Sequence, residues 1–176
     1  MLCGGKYYIE FDEDAVDGIS RRYALSEDFF TALPQDEIKS GSLEANAHLR
    51  PVGGIWHLHF EISGNVAVVC DRCLDLVSFP VETGNDTDIK FDEVREADET
   101  ETSIILPVGE KGIDLAWYFY EAVLLSLPVK RVHADGECNR NMQDLLDRYE
   151  NGSVSSSGTD SIDPRWESLE KLKQND

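Results

Sequence analysis

Apolar and polar residues alternate most regularly in the middle of the chain. Leu43, Ala45, Ala47 and Leu49 fall on one face of an extended segment, and Trp56, Leu58, Phe60 and Ile62 on one face of the next. A period of two marks a strand that buries only one side. Gly53-Gly54 and Gly64-Asn65 supply turn residues between such runs, so the region predicts an antiparallel meander. Shorter stretches, "KYYIEFD" (Lys6 to Asp12) and "TSIILPV", read as further strands. Ser26 is placed to N-cap a short helix through Leu33, with Glu27 and Asp28 in its first turn and Pro34 stopping it.

The pattern changes after Gly112. Asp114 is a candidate N-cap for "LAWYFYEAVLLSL", which Pro128 terminates. Its apolar residues cover most of the circumference, so this helix is expected to bury against the sheet. "NRNMQDLLDRY" (Asn139 to Tyr149) predicts an amphipathic helix with Met142, Leu145, Leu146 and Tyr149 on one side. "GSVSSSGTDS" has the composition of a flexible linker. "DPRWESLEKLK" then restarts a helix, with Asp163 as cap, Pro164 at the first helical position, and Trp166, Leu169 and Leu172 along one face. The expected organisation is one α+β domain over residues 1–150: an antiparallel sheet able to curl into a partial barrel, packed by one buried helix and followed by short C-terminal helices. A linker over 151–162 and a tail over 163–176 complete the chain.

Composition narrows the partners. The 176 residues include 35 acids against 16 bases, a net charge of −19. Glu82 to Glu101 alone holds nine acids, offset only by Lys90 and Arg95, and most of it reads as a solvated acidic loop after a strand start at "DIKFDEV". Such a field repels a bare phosphate backbone, whose binding rests on Lys and Arg. It attracts basic proteins instead. The start "MLCGGKYYIE" has no basic region followed by an apolar stretch, and Ile113 to Val129 is too short and polar for a membrane span. The expected location is the cytoplasm. In that reducing compartment the four cysteines read as metal ligands or plain buried thiols rather than disulfides.

Cys70 and Cys73 form a C-x2-C pair inside the strand-like run "VAVVCDRCLDLV". A structural zinc site takes four thiolate or imidazole ligands, commonly two of them from one such turn. The other half is available at "VHADGEC", where His133 and Cys138 flank Gly136, a residue able to turn both inward. Cys70, Cys73, His133 and Cys138 are therefore the candidate ligands, with zinc as the candidate ion; separate buried thiols beside a surface histidine are the other reading. Leu74 stands where zinc knuckles often have glycine. A thioredoxin-like centre fits less well, because its CxxC opens a helix and this one lies among strands. His57 and His59 in "WHLHF" can ligate a metal as a pair, but the alternation accounts for them more simply: Trp56, Leu58 and Phe60 face the core and the histidines face water. Cys3 reads as a bystander. No nucleophile elbow, phosphate loop or dinucleotide fingerprint occurs, and no catalytic residue is assigned.

The order of "CDRC", an acidic stretch, "GIDLAWYFYEAVLLSLPVKRVH", a late cysteine and "DPRWESLEKLK" resembles the YceD-like family, bacterial and plastid proteins linked to accumulation of the large-subunit ribosomal RNA. The resemblance covers about Val66 to Cys138 and again Asp163 to Lys173, and is weak over the first fifty residues. Some relatives carry more cysteines after the long helix; here Cys138 remains, with His133 upstream. The likeness implies a role in large ribosomal subunit biogenesis without supplying a catalytic mechanism. Joined to the charge, it leads to a non-enzymatic factor whose acidic surface holds a basic ribosomal protein or a pre-ribosomal particle. Direct RNA binding or processing is an alternative, with Trp56 and Tyr7 as base-stacking candidates and Lys130, Arg131 and His133 as the one concentrated positive feature. A thiol oxidoreductase is another.

Overall fold

Two long strands joined at Gly53-Gly54 form the spine of the computed structural model, which describes residues 5–12, 14–92 and 103–151. β3 (Ile38–Val52) and β4 (Ile55–Val69) pair antiparallel along their length, and β5 (Leu76–Asp92) returns along the other side of β4. β2 (Ile19–Leu25) lies outside β3 and β6 (Ile104–Pro107) outside β5, giving the order β2-β3-β4-β5-β6. The fold is α+β, as the pattern implied, but β6 joins β5 parallel, with Ile89 opposite Ile104. The sheet is thus mixed and does not close into a barrel. A four-residue apolar run carries no signal of its direction, so this pairing was not legible beforehand. β1 (Tyr8–Glu10) and β7 (Gly112–Asp114) make a separate two-stranded sheet. Gly112 is needed there, because a Cβ would run into the Ile9 carbonyl and the Tyr8 ring.

Both alternating faces are buried where expected. Leu49 and Leu58 are wholly enclosed, and Leu43, Ala45, Ala47, Trp56, Phe60 and Ile62 lie in the same core. α1 (Glu27–Thr31) and α2 (Ala116–Ser126) belong to the same unit. Phe119 of α2 meets the Phe60 ring edge-on at 5.2 Å and Tyr23 at 5.5 Å. This anchors the helix to the sheet, and truncating such a ring typically costs 3–5 kcal/mol as a rough range. Asp114 supports the helix start by accepting a hydrogen bond from the Ala116 amide at 3.0 Å.

Four local expectations need correction. Gly64-Asn65 is not a turn: β4 runs straight through it, with Gly64 between Leu43 and Val81. Its φ of 146° and the collision a Cβ would make with Ser42 and Leu43 show why glycine stands there, for close strand approach rather than reversal. α1 ends at Thr31 rather than Leu33, and Ser26 caps with its carbonyl, not its hydroxyl. α2 buries only Ala116, Phe119, Tyr120 and Val123, leaving Trp117 and Leu125 at the surface. The stretch Glu82 to Asp92, expected to pass soon into loop, is strand throughout; residues 93–102 lie outside the described residues.

The chain divides into two units, Met1–Cys138 and Asn139–Asp176. In the second, α3 (Arg140–Asn151) is capped by Asn139, whose side-chain oxygen accepts from the Asn141 amide at 3.0 Å. The expected linker and the tail helix with Trp166, Leu169 and Leu172 lie outside the described residues. Among the described residues no helix is long and apolar enough to cross a membrane.

Candidate metal centre

The four residues singled out by spacing meet at the end of the β4–β5 pair. β4 delivers Cys70 directly after Val69, and a tight turn returns the chain to β5 at Leu76. The Cys70 amide donates to the Asp75 carbonyl at 2.8 Å and the Leu74 amide to the Cys70 carbonyl at 3.0 Å. Leu74 adopts φ 65°. That left-handed conformation is one glycine takes at little steric cost, which is why glycine is common at this point of a knuckle. Within the turn the Arg72 amide points at Cys70 Sγ from 3.4 Å.

The second half comes from the irregular segment after α2. Gly136, at φ 85°, and a hydrogen bond from the Glu137 amide to the Ala134 carbonyl fold His133–Cys138 back on itself. Two reciprocal bonds clamp this segment to the knuckle: the Asp71 amide donates to the Arg131 carbonyl, and the Arg131 amide to Asp71 Oδ2, each at 2.7 Å. His133 Nε2 donates to the Leu76 carbonyl at 3.1 Å, which places the proton there and turns the Nδ1 lone pair inward. Nδ1 then lies 3.4 Å from Cys73 Sγ and 4.0 Å from Cys138 Sγ.

The four donor atoms all lie within 4.8 Å of one another. A tetrahedral zinc with bonds of about 2.3 Å to sulfur needs ligand–ligand edges of roughly 3.5–3.8 Å, so the cluster has the dimensions of such a site. The three cysteines are buried and unoxidised. Burial pushes the Cys70 thiol up, but the amides of Cys73, Arg72 and His133 and the His133 ring outweigh it, bringing Cys70 down to about 6. Cys138, pushed up by burial and by its contacts with Cys73 and Cys70, lies at about 11. The hydrogen bond to Cys70 raises His133. The pocket therefore sets an acidified Cys70 thiol beside a Cys138 thiol that keeps its proton, a donor set in which a divalent cation can take the place of thiol protons.

Other sequence candidates fall elsewhere. Trp56 and Tyr7 are core residues, 5% and 1% exposed, so neither can stack a base; that expectation is overturned, since their alternation was a packing signal. Lys130 is exposed, and Arg131 serves the clamp through its backbone. His57 and His59 face outward as the alternation required, opposite Asp88 and Asp86 of β5. Cys3 lies outside the described residues. The Asp71–Arg131 clamp was missed because spacing cannot report a hydrogen bond between segments 60 residues apart.

A family model described as large ribosomal RNA subunit accumulation protein YceD matches residues 58–173. No curated protein and no solved structure matches the chain. The matched stretch begins in β4 and includes both halves of the cysteine–histidine cluster and α2. The chain belongs to the YceD family of large ribosomal RNA subunit accumulation proteins.

Proposed function

We propose that the chain is a non-enzymatic factor in large ribosomal subunit biogenesis, working in the cytoplasm through its acidic surface on a basic ribosomal protein or pre-ribosomal particle. The family assignment carries the ribosomal part of this reading. Charge carries the choice of partner. A net −19 is unsuited to gripping RNA phosphates and suited to lysine- and arginine-rich protein. On the sheet face turned from the core, Glu44, Glu61, Glu82 and Asp86 are exposed and outward, so part of the acidity stands on a rigid frame.

In this reading Cys70, Cys73, His133 and Cys138 hold a structural zinc. The ion joins the β4–β5 turn to the segment following α2, two pieces of chain with no shared strand pairing. A redox role is less well supported: Cys70, although its thiol is acidic, is 0% exposed and enclosed by three further donors, which is the setting of a ligand rather than of a nucleophile. Individually purified basic proteins of the large subunit, passed over the immobilised chain, provide the test. Retention at low salt that weakens at moderate salt is expected; no retention of any of them at either salt would overturn the partner assignment.

A further inference from the structure

The outward faces of β4 and β5 carry a second grouping of metal-ligating side chains, well away from the cysteines in the sequence. His57 and His59 are two residues apart on one strand, so both point to the same side, and their cross-strand partners are Asp88 and Asp86. The side chains interlock. Asp86 Oδ1 lies between the rings, 2.9 Å from His59 Nδ1 and 3.3 Å from His57 Nε2. The remaining nitrogen of each ring also faces a carboxylate: His57 Nδ1 is 2.9 Å from Asp88 Oδ1, and His59 Nε2 is 3.7 Å from Glu61 Oε1.

We infer that His57, His59 and Asp86 form a surface binding site for a divalent transition-metal ion, distinct from the cysteine-containing centre. Two imidazoles and one carboxylate are a recognised donor set for first-row metals, and they select against calcium and magnesium, which take oxygen alone. Two of the three edges fit: ligands about 2.1 Å from an ion stand roughly 3.0–3.4 Å apart in octahedral or tetrahedral geometry, and the two oxygen–nitrogen separations are 2.9 and 3.3 Å; the edge between the two imidazoles closes by rotation of the rings. The surroundings fit as well. Metal-bound histidines almost always present their other nitrogen to a carboxylate or carbonyl, which fixes the ring and raises its basicity. Asp88 does this for His57, and Glu61 stands in the corresponding place for His59.

The site is open to ligand exchange, since the His57 and His59 side chains are 27% and 40% exposed and Asp86 is 64% exposed. Exposed imidazoles turn readily about their outer torsion, so closing on an ion needs no backbone change. Asp86 Oδ1 already stands within 2.9 Å of one ring and 3.3 Å of the other, so the acidic donor is in place between them. This site stands apart from the ribosomal role and does not depend on it.

Nickel titration by calorimetry on the full-length chain at neutral pH, with the cysteine centre already saturated with zinc, tests the inference. The native chain is expected to give a saturable nickel isotherm that millimolar calcium does not displace. His57→Ala with His59→Ala together should abolish it. Asp88→Asn, which touches only the supporting carboxylate, should weaken it about tenfold. These side chains face outward, so an unchanged thermal melt certifies the fold of each variant. A nickel isotherm that survives the double substitution, or that calcium displaces as diffuse screening would, overturns the inference. So does the absence of any nickel binding by the native chain.

Discussion

Two groups of metal-ligating side chains along the β4–β5 pair both include histidine but stand in opposite surroundings. At the turn, Cys70, Cys73 and Cys138 are buried, His133 is half-buried, and the group is gathered from segments far apart in the sequence. In mid-sheet, His57 and His59 stand in water directly across from Asp88 and Asp86. A thiolate removed from solvent is costly unless something compensates it, so the buried group depends for its stability on amides, the His133 contact and, in the proposed function, a bound cation. The exposed row is hydrated with or without an ion, and its side chains contribute little to folding. Position, not residue type, decides whether a histidine is structural.

The largest effect should come from cutting into the buried group. Cys73→Ser is expected to lower unfolding stability by on the order of 3 kcal/mol, as when one member of a buried charged set is removed. A urea titration reads this, and a chelator should then have no further effect on the variant while destabilising the native chain. An unchanged midpoint would erase the contrast between the regions. The histidines sharpen it next. His133→Ala should cost about 1–2 kcal/mol through the lost bond to Leu76 and the lost ligand, whereas His57→Ala should stay within about 0.5 kcal/mol. Comparable losses in the two variants would show that the outer row is structural after all.

A smaller effect, of the other sign, is expected at Leu74. Relieving its left-handed backbone by Leu74→Gly should stabilise the fold by about 0.5–1 kcal/mol, the steric relief exceeding glycine's entropic cost; the side chain is 64% exposed, so little packing is lost. A lower melting temperature would mean that the leucine side chain itself matters. The smallest effect concerns pH. Asp86 is held below its usual range, first by the His59 hydrogen bond, so its contribution is complete above the ordinary aspartate range and lost only as the pH falls through its lowered value. An NMR titration should place the Asp86 midpoint below that of a free aspartate, and His59→Ala should move it up.

Much of this was legible in the chain, for physical reasons that also set the limit. A period of two over Leu43–Leu49 and Trp56–Ile62 can be satisfied only by one-sided strands, and it also put the two histidines outside. Cysteine spacing in a reducing setting found the four candidate ligands, because few other uses of such a set exist. What the sequence hid was pairing. The opposition of His57 to Asp88 is set by the register of β4 against β5, and Gly64 resembles a turn until β3 is laid beside it. The circumference of α2 suggested burial all round, yet the sheet covers one side and Leu125 remains 76% exposed. The Asp71–Arg131 clamp leaves no trace in composition or spacing.

The structural centre is tested most directly by elemental analysis of gently purified, desalted chain, with free thiols counted on the same sample. One zinc per chain is expected in the native chain, with Cys70, Cys73 and Cys138 unreactive until the ion is chelated, and none retained in Cys70→Ser. A folded native chain that carries no metal, with those three thiols reacting independently of chelator, would contradict it.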